Sequence, residues 1–564
     1  ALVDVGPGSP TGVESGKGAK FPAKYQNAIF ANDWTYGTMY AIHMRPDGGA
    51  YQAEKEEFVT GKPLPLTDLV VNPRDGALYF AIGGRKTQSA VYRVSYVGNE
   101  STAPAPAPTP TPELQLRKRL EKLHDRDTGT DAVAEAWPHL GHPDRWVRYA
   151  ARIAVERQPI SVWGTKAFRE TKPWAVIELA VAVARAQGAT AFRDGMLRKL
   201  NALDFASLSE AQRLAAIRAY QLFVIRGGLP GDAIRGEVIA KLDAMFPSKS
   251  FDMNRELAGT LVALEAPTAV AKTMSLMSTA RDEEIRYASD ALLGRNAGYA
   301  TAFNSAANSR PNQQQIAYAY ILRTAKAGWT PSLRRSYFAW FPRTAPWQGG
   351  NSFRGFLENF RKEALALVAD PTERRALDEL SSKKEGVVAQ DFTPPKGPGQ
   401  DYTVDEVLQL AATGMKGRNF ESGRNLFHSA ACFSCHRFAG GGGGVGPDLT
   451  ASASRYSLRD LLENIVDPSK VISDQYGSEQ VELKDGSSLI GRAYEENGKI
   501  HVVYDPRNPD EKETADLAQV KARRPYPVSL MPNGLLNAMN EGEVLDLLAY
   551  VLSAGDPNHP AFKK

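Results

Sequence analysis

Short apolar runs separated by turn residues open the chain. Ala28-Ile29-Phe30, Met39-Tyr40-Ala41-Ile42 and Leu78-Tyr79-Phe80-Ala81-Ile82 are too short for independent helices. Pro46-Asp47-Gly48-Gly49, Asn72-Pro73-Arg74-Asp75-Gly76 and Gly83-Gly84 punctuate them. Residues 1–100 are therefore predicted to be β-structure, and the spacing suits two four-stranded propeller blades of roughly 40–50 residues each. Two blades cannot close a propeller, which takes about four to eight. The chain is expected to start inside a domain.

The pattern changes at Ser101. Pro alternates with Ala or Thr through Pro112, predicting a semi-rigid polyproline spacer, residues 101–112, that separates two folded bodies. From 113 to 380 the apolar positions follow helical spacing, as in Trp146-Val147-Arg148-Tyr149-Ala150-Ala151-Arg152-Ile153-Ala154-Val155. Val147-Arg148-Tyr149-Ala150 is echoed by Ile285-Arg286-Tyr287-Ala288, three periods of about 46 residues further on, which points to a HEAT-like α-solenoid. Other stacked helix pairs would also fit. A second, proline-containing linker is placed at 381–401, and the last domain at 402–564.

In that last domain a helix is predicted from Phe420 to Phe427, with Gly423 and Phe427 four apart. Another is predicted from Glu541 to Leu552, whose apolar face is Val544, Leu545, Leu548 and Val551, with Tyr550 beside it. A glycine at position 423 lets the second helix cross the first closely. Between them Val481-Glu482-Leu483, Leu489-Ile490-Gly491 and Ile500-His501-Val502-Val503-Tyr504 alternate with turn signals such as Asn497-Gly498. They predict a small antiparallel insertion at about 476–520.

Composition narrows the picture. The 564 residues are 43% hydrophobic and 23% charged, as in a globular multidomain protein, and the net charge of +4 makes no case for nucleic acid or a polybasic anchor. The most apolar helical run, Ala175 to Ala186, is short of a membrane span and contains Glu178. Beginning at Ala1 without an initiator Met, the chain reads as a mature or trimmed product.

The two cysteines of the whole chain both lie in Cys432-Phe433-Ser434-Cys435-His436. No disulfide framework follows, and no second pair completes a zinc site. Cys-x-x-Cys-His on one helical turn suits covalent haem attachment: two thiols for the vinyl groups and an adjacent imidazole for the iron. A redox dithiol is the competing reading, but it would need a βαβ context.

Axial ligation is expected from His436 and from Met531, which sits in the Pro-bounded loop Ser529-Leu530-Met531-Pro532 before the closing helix. Met539, His501 and Met415 are the rivals. A thioether opposite His raises the reduction potential. The glycines Gly440 to Gly444 either let backbone pass close to the haem edge or form a slack loop.

The crossing of first and last helices resembles class I cytochromes c. In Gly446-Pro447-Asp448-Leu449 that resemblance implies that the Pro447 carbonyl accepts the ring N–H of His436. More specifically, residues 423–552 resemble the large cytochrome c domain of planctomycete and verrucomicrobial secreted proteins. The marks are the Cys-x-x-Cys-His site, Gly446-Pro447-Asp448-Leu449-Thr450, Asp467-Pro468-Ser469-Lys470 and Ser529-Leu530-Met531-Pro532-Asn533-Gly534-Leu535-Leu536.

In that family the cytochrome often follows HEAT repeats and a propeller similar to quinoprotein sugar dehydrogenases. Here Gly18-Ala19-Lys20-Phe21-Pro22-Ala23-Lys24-Tyr25 and Gly83-Gly84-Arg85-Lys86-Thr87-Gln88 are similar to its last blades. The resemblance implies one covalent haem c, a periplasmic or secreted location and a redox partner. It also implies pyrroloquinoline quinone (PQQ) and calcium in a complete propeller, whose remainder would lie on another polypeptide or have been removed. The earlier blades, which hold most quinone contacts and the catalytic His in such dehydrogenases, are not among these residues, so no catalytic residue is assigned.

Two functions follow. One is the electron-accepting part of a PQQ-type sugar or alcohol dehydrogenase, an oxidoreductase. The other is a non-catalytic electron-transfer and protein-interaction scaffold.

Overall fold

The computed structural model describes residues 2–6, 8–61, 64–84, 87–125, 129–186, 190–282, 311–345, 347, 353–382, 392–439, 441–443, 445–450, 452, 456–473, 475–505 and 511–563. The chain is multidomain: strands in sheets, then helices, then a smaller helical domain with a β insertion.

The first sheet is antiparallel in the order β1 (Pro10–Ser15), β2 (Ala28–Asp33), β3 (Thr38–Asp47), β4 (Ala50–Thr60). The second is β5 (Leu66–Val71), β6 (Leu78–Gly84), β7 (Thr87–Val94). Phe21, Phe30, Met39, Ala41, Leu66, Leu69, Leu78 and Phe80 form one core that both sheets share. The expected pairing of four-stranded units thus holds for the first sheet, while the second has three described strands. Gly83 and Gly84, read as a turn, instead finish β6, where Gly84 pairs with Thr87 of β7.

The proline-rich tract does not stand clear as a spacer. The Gln26 side chain donates to the Ala103 carbonyl at 2.9 Å and accepts from the Ala105 N–H at 2.9 Å, while Asn27 donates to the Pro106 carbonyl at 3.2 Å. Proline has no N–H to give, but carbonyls along the tract can still accept, and these polar side chains use them. Beyond the tract, Asp144 accepts from the Gly49 N–H at 2.8 Å and Arg117 donates to the Gly49 carbonyl at 3.0 Å. The first sheet and the helices are therefore joined directly.

The helical part comprises α1 (Pro112–Glu121), α2 (Gly129–Ala136), α3 (Arg145–Arg157), α4 (Ile160–Ala167), α5 (Pro173–Arg185), α6 (Thr190–Asn201) and α7 (Glu210–Gly227). It continues with α8 (Asp232–Asp243), α9 (Phe251–Ala263), α10 (Ala269–Thr279), α11 (Gln313–Leu322), α12 (Pro331–Phe338), α13 (Phe353–Ala366) and α14 (Pro371–Ser381). Odd-numbered helices from α1 to α13 pack each on the next odd one. In a second layer α6 packs on α8, α10 on α12 and α12 on α14. One continuous apolar core runs from Leu120 to Leu377. The echo at Ile285–Ala288 lies outside the described residues. None of the described helices is long and apolar enough to cross a membrane.

The last domain contains α15 (Val404–Gly414), α16 (Phe420–Ser429), α17 (Leu458–Val466) and α18 (Glu541–Leu552). Its insertion is a five-stranded antiparallel sheet. In chain order the strands are β10 (Ser478–Leu483), β11 (Ser488–Glu496), β12 (Lys499–Val503), β13 (Lys512–Asp516) and β14 (Val520–Tyr526), after a two-residue pair β8 (Arg437–Phe438) and β9 (Gly441–Gly442). The spatial order of the five is β13-β12-β11-β10-β14. The insertion therefore extends past the expected limit at 520 to Tyr526, since β14 pairs with β10 and is needed to flank it. Asn497 and Gly498 both have positive φ, +52° and +76°, as a two-residue hairpin requires.

Candidate haem site

The site is built on the crossing of α16 and α18. Asn419 caps α16 by accepting from the Ser422 N–H, and its own N–H is held by Asp546 of α18 at 3.0 Å. At the crossing a Cβ on Gly423 would run into the Asp546 carbonyl and lie 2.7 Å from the Tyr550 Cβ, so no larger residue fits. Tyr550 then packs on Phe420, Phe427 and Phe438, with ring centroids 5.3, 5.7 and 5.1 Å away. These rings, with Leu426, Val544, Leu548 and Val551, form the core on which the cysteine turn rests.

Cys432–Cys435 is one helical turn, and the His436 N–H closes it on the Cys432 carbonyl at 2.8 Å. Burial pushes the Cys432 thiol up to about 12, with the neighbouring Cys435 adding to the rise. A redox dithiol works through a thiolate of lowered pKa, the opposite direction to that at Cys432. His436 is 9% exposed, and its Nδ1 lies 2.8 Å from the Pro447 carbonyl. Burial holds its pKa below the ordinary histidine value, against the opposing effects of the Pro447 carbonyl and Asp448. The Pro447 contact fixes the ring and leaves Nε2 as the nitrogen for a metal.

The glycine run resolves as close packing, not slack. Gly442 has φ +95°, and a Cβ there would strike the His436 carbonyl; one on Gly443 would strike the Ser434 carbonyl and come within 2.8 Å of its carbon. The Gly443 N–H bonds to the Phe433 carbonyl at 2.9 Å and the Gly446 N–H to the Cys435 carbonyl at 2.8 Å. Backbone thus passes directly against the cysteine turn; Gly440 and Gly444 are outside the described residues. Thr450 extends the same clamp, its hydroxyl accepting from the Ala439 N–H at 3.0 Å.

Met531 lies half-buried in the segment between β14 and α18. Its N–H bonds to the Ser529 hydroxyl at 3.1 Å, and the Ser529 N–H to the Ser469 hydroxyl at 3.1 Å. Two tracts singled out in the sequence, 467–470 and 529–536, are thereby brought together. The described contacts tie Met531 to these serines and not to His436. Of the rivals, Met539 is fully buried in the core and Met415 packs against that core. His501 is on β12, its Nδ1 2.9 Å from the Thr514 hydroxyl and its ring against Tyr494.

Sequence reasoning missed an aromatic stack beside the cysteine turn: Phe392, His428 and Phe433, with both centroid separations 4.2 Å. It also missed the role of residues 392–401, read as linker, and of Tyr402, the first residue of the expected last domain. Thr393 exchanges hydrogen bonds with Asn425, and the Tyr402 hydroxyl donates to the Met539 carbonyl at 3.0 Å. The described part of that linker is laid on the domain, because its backbone N–H groups find the Asn425 and Glu543 side chains. Phe392 and Tyr402 were the available signals, two aromatics in an otherwise polar stretch.

A family model for cytochrome c matches residues 420–485, from the start of α16 through the cysteine turn, the Pro447 loop, α17 and β10. No curated protein matches the chain. These residues are a cytochrome c domain. Such a domain implies a covalent haem c and haem-based electron transfer, and the chain's two cysteines fall inside the match. The residues present fit that group: two cysteines on one helical turn, a histidine with one ring nitrogen anchored, and a close-packed glycine wall beside them.

Proposed function

We propose that this chain is the electron-accepting part of an extracytoplasmic quinoprotein-type sugar or alcohol dehydrogenase. The observation that carries the electron-transfer half is the His436 Nδ1–Pro447 carbonyl contact next to two cysteines on one turn. Cys432 and Cys435 would hold the haem through thioethers, His436 would bind iron through Nε2, and Met531 would supply the second iron ligand. When bound, haem c supplies a one-electron couple, which His/Met ligation raises in potential. The chain's own residues orient the imidazole, through Pro447 and Gly446, and exclude water with the Phe427, Phe438 and Tyr550 rings. Met531 is favoured because Met539 and Met415 serve the core, and His501 belongs to the inserted sheet.

The dehydrogenase half rests on architecture. Two antiparallel sheets sharing one core are consistent with the last blades of a propeller, and two layers of helices packing in succession are consistent with a HEAT-like solenoid. PQQ and calcium would belong to the full propeller, completed by further polypeptide. A redox partner protein would be the onward electron acceptor.

Isolating the native assembly, identifying extracted quinone and adding sugars or alcohols tests this. Haem reduction that requires both quinone and substrate supports the dehydrogenase. A native assembly with haem but neither quinone nor substrate-driven reduction would instead make the chain a non-catalytic electron-transfer scaffold.

A further inference from the structure

We infer that residues 393–402 form a strap that positions the Met531 loop, with Tyr402 as its main positioning residue. The inference rests on the reading of Met531 as an axial ligand.

The strap touches four consecutive residues just before α18. Gly399 lies so close to Asn537 that a Cβ there would run into the Asn537 carbonyl, with the Ala538 carbonyl carbon 2.9 Å away. The Asn537 side chain donates to Asp401, and the buried Tyr402 hydroxyl donates to the Met539 carbonyl at 3.0 Å. The Asn540 side chain donates to the Gly397 carbonyl at 3.1 Å. In the first turn of α18, Glu543 accepts from the N–H groups of Lys396 and Gly397 at 2.7 and 3.3 Å. Upstream, the Ser529 N–H is fixed by Ser469. Met531 therefore hangs between two anchors, and the strap supplies the second.

This arrangement has a physical consequence. A methionine is a weak ligand to ferric iron, so the loop's stiffness decides how readily another ligand replaces it. The free energy of opening the loop adds to the cost of displacing the thioether. Losing one strap hydrogen bond makes opening easier. It raises the apparent affinity for an external ligand by the same factor, about five- to tenfold for a bond of ordinary strength.

Imidazole titration of the oxidised holo-chain, followed in the visible spectrum, tests the strap. Tyr402→Phe and the exposed Asp401→Ala should each bind imidazole about five- to tenfold more tightly than the unaltered chain, at full haem content. Asp401→Ala keeps the test available should Tyr402→Phe fold poorly. Affinities within twofold of the unaltered chain in both variants would overturn the inference. Met531→Leu separates the two readings. The resemblance to class I cytochromes implies a weak long-wavelength sulfur-to-iron band in the oxidised protein; if Met531→Leu leaves it intact, the ligand assignment fails. If it removes the band while the strap variants bind imidazole normally, the strap alone fails.

Discussion

Gly446 lies against the His436 imidazole: a Cβ built there would come within 2.6 Å of Cε1 and 2.7 Å of Nδ1. The ring is thus held on one face by glycine backbone and at Nδ1 by the Pro447 carbonyl. Gly446→Ala forces the ring to turn or the loop to retreat. The expected cost is about 1–3 kcal/mol in the holo-protein, as for other overpacked sites. Guanidinium unfolding followed by haem absorbance checks it.

The Gly423 crossing predicts a steeper response. Gly423→Val meets the Asp546 carbonyl and the Tyr550 Cβ, both parts of helix α18 that cannot swing aside. A loss of about 3 kcal/mol or more is expected, with Gly423→Ala intermediate. Comparing urea midpoints of the three proteins measures this. A Val variant as stable as the original would mean that the helices do not cross there.

Glu543 gives the pH dependence its sign. Burial would raise its pKa, but the N–H groups of Lys396, Asn540 and Gly397 outweigh that and hold it below the ordinary glutamate value of 4.5. A group with a lowered folded-state pKa stabilises above its unfolded value, and that stability is lost as pH falls through the folded one. Stability of the unaltered protein should therefore drop below about pH 4.5 relative to Glu543→Gln, whose side chain does not titrate. Unfolding midpoints at a series of pH values for both proteins test the sign.

Met531→His should abolish the sulfur-to-iron band of the oxidised protein and lower the potential, since imidazole is the stronger donor to ferric iron. Met539→Leu should leave both nearly unchanged, because Met539 fills the core beside α18. Spectra and potentiometric titration of the two variants decide it. The opposite pattern would transfer the ligand role to Met539.

Much of this was legible in the chain because it rested on local chemistry. The β-to-helical change after the proline tract, the cysteine turn, the Gly423 crossing and the strands around Asn497-Gly498 each follow from short-range pattern. What was not legible depends on tertiary partners. The tract 101–112 reads as a spacer until Gln26 and Asn27 find its carbonyls. Residues 392–401 read as linker for the same reason, since nothing in their own pattern names Asn425 or Glu543 as acceptors. The three-stranded second sheet and the reach of the insertion to Tyr526 depend on strand pairing, which periodicity does not encode.

The mass of the denatured, acid-acetone-washed chain tests the central claim most directly. One haem bonded through Cys432 and Cys435 predicts that the unaltered chain exceeds its sequence mass by one haem. The double variant Cys432→Ser, Cys435→Ser should show the sequence mass alone. A holo-chain that loses its haem to the wash, or a double variant that retains one, would contradict covalent attachment at these two residues.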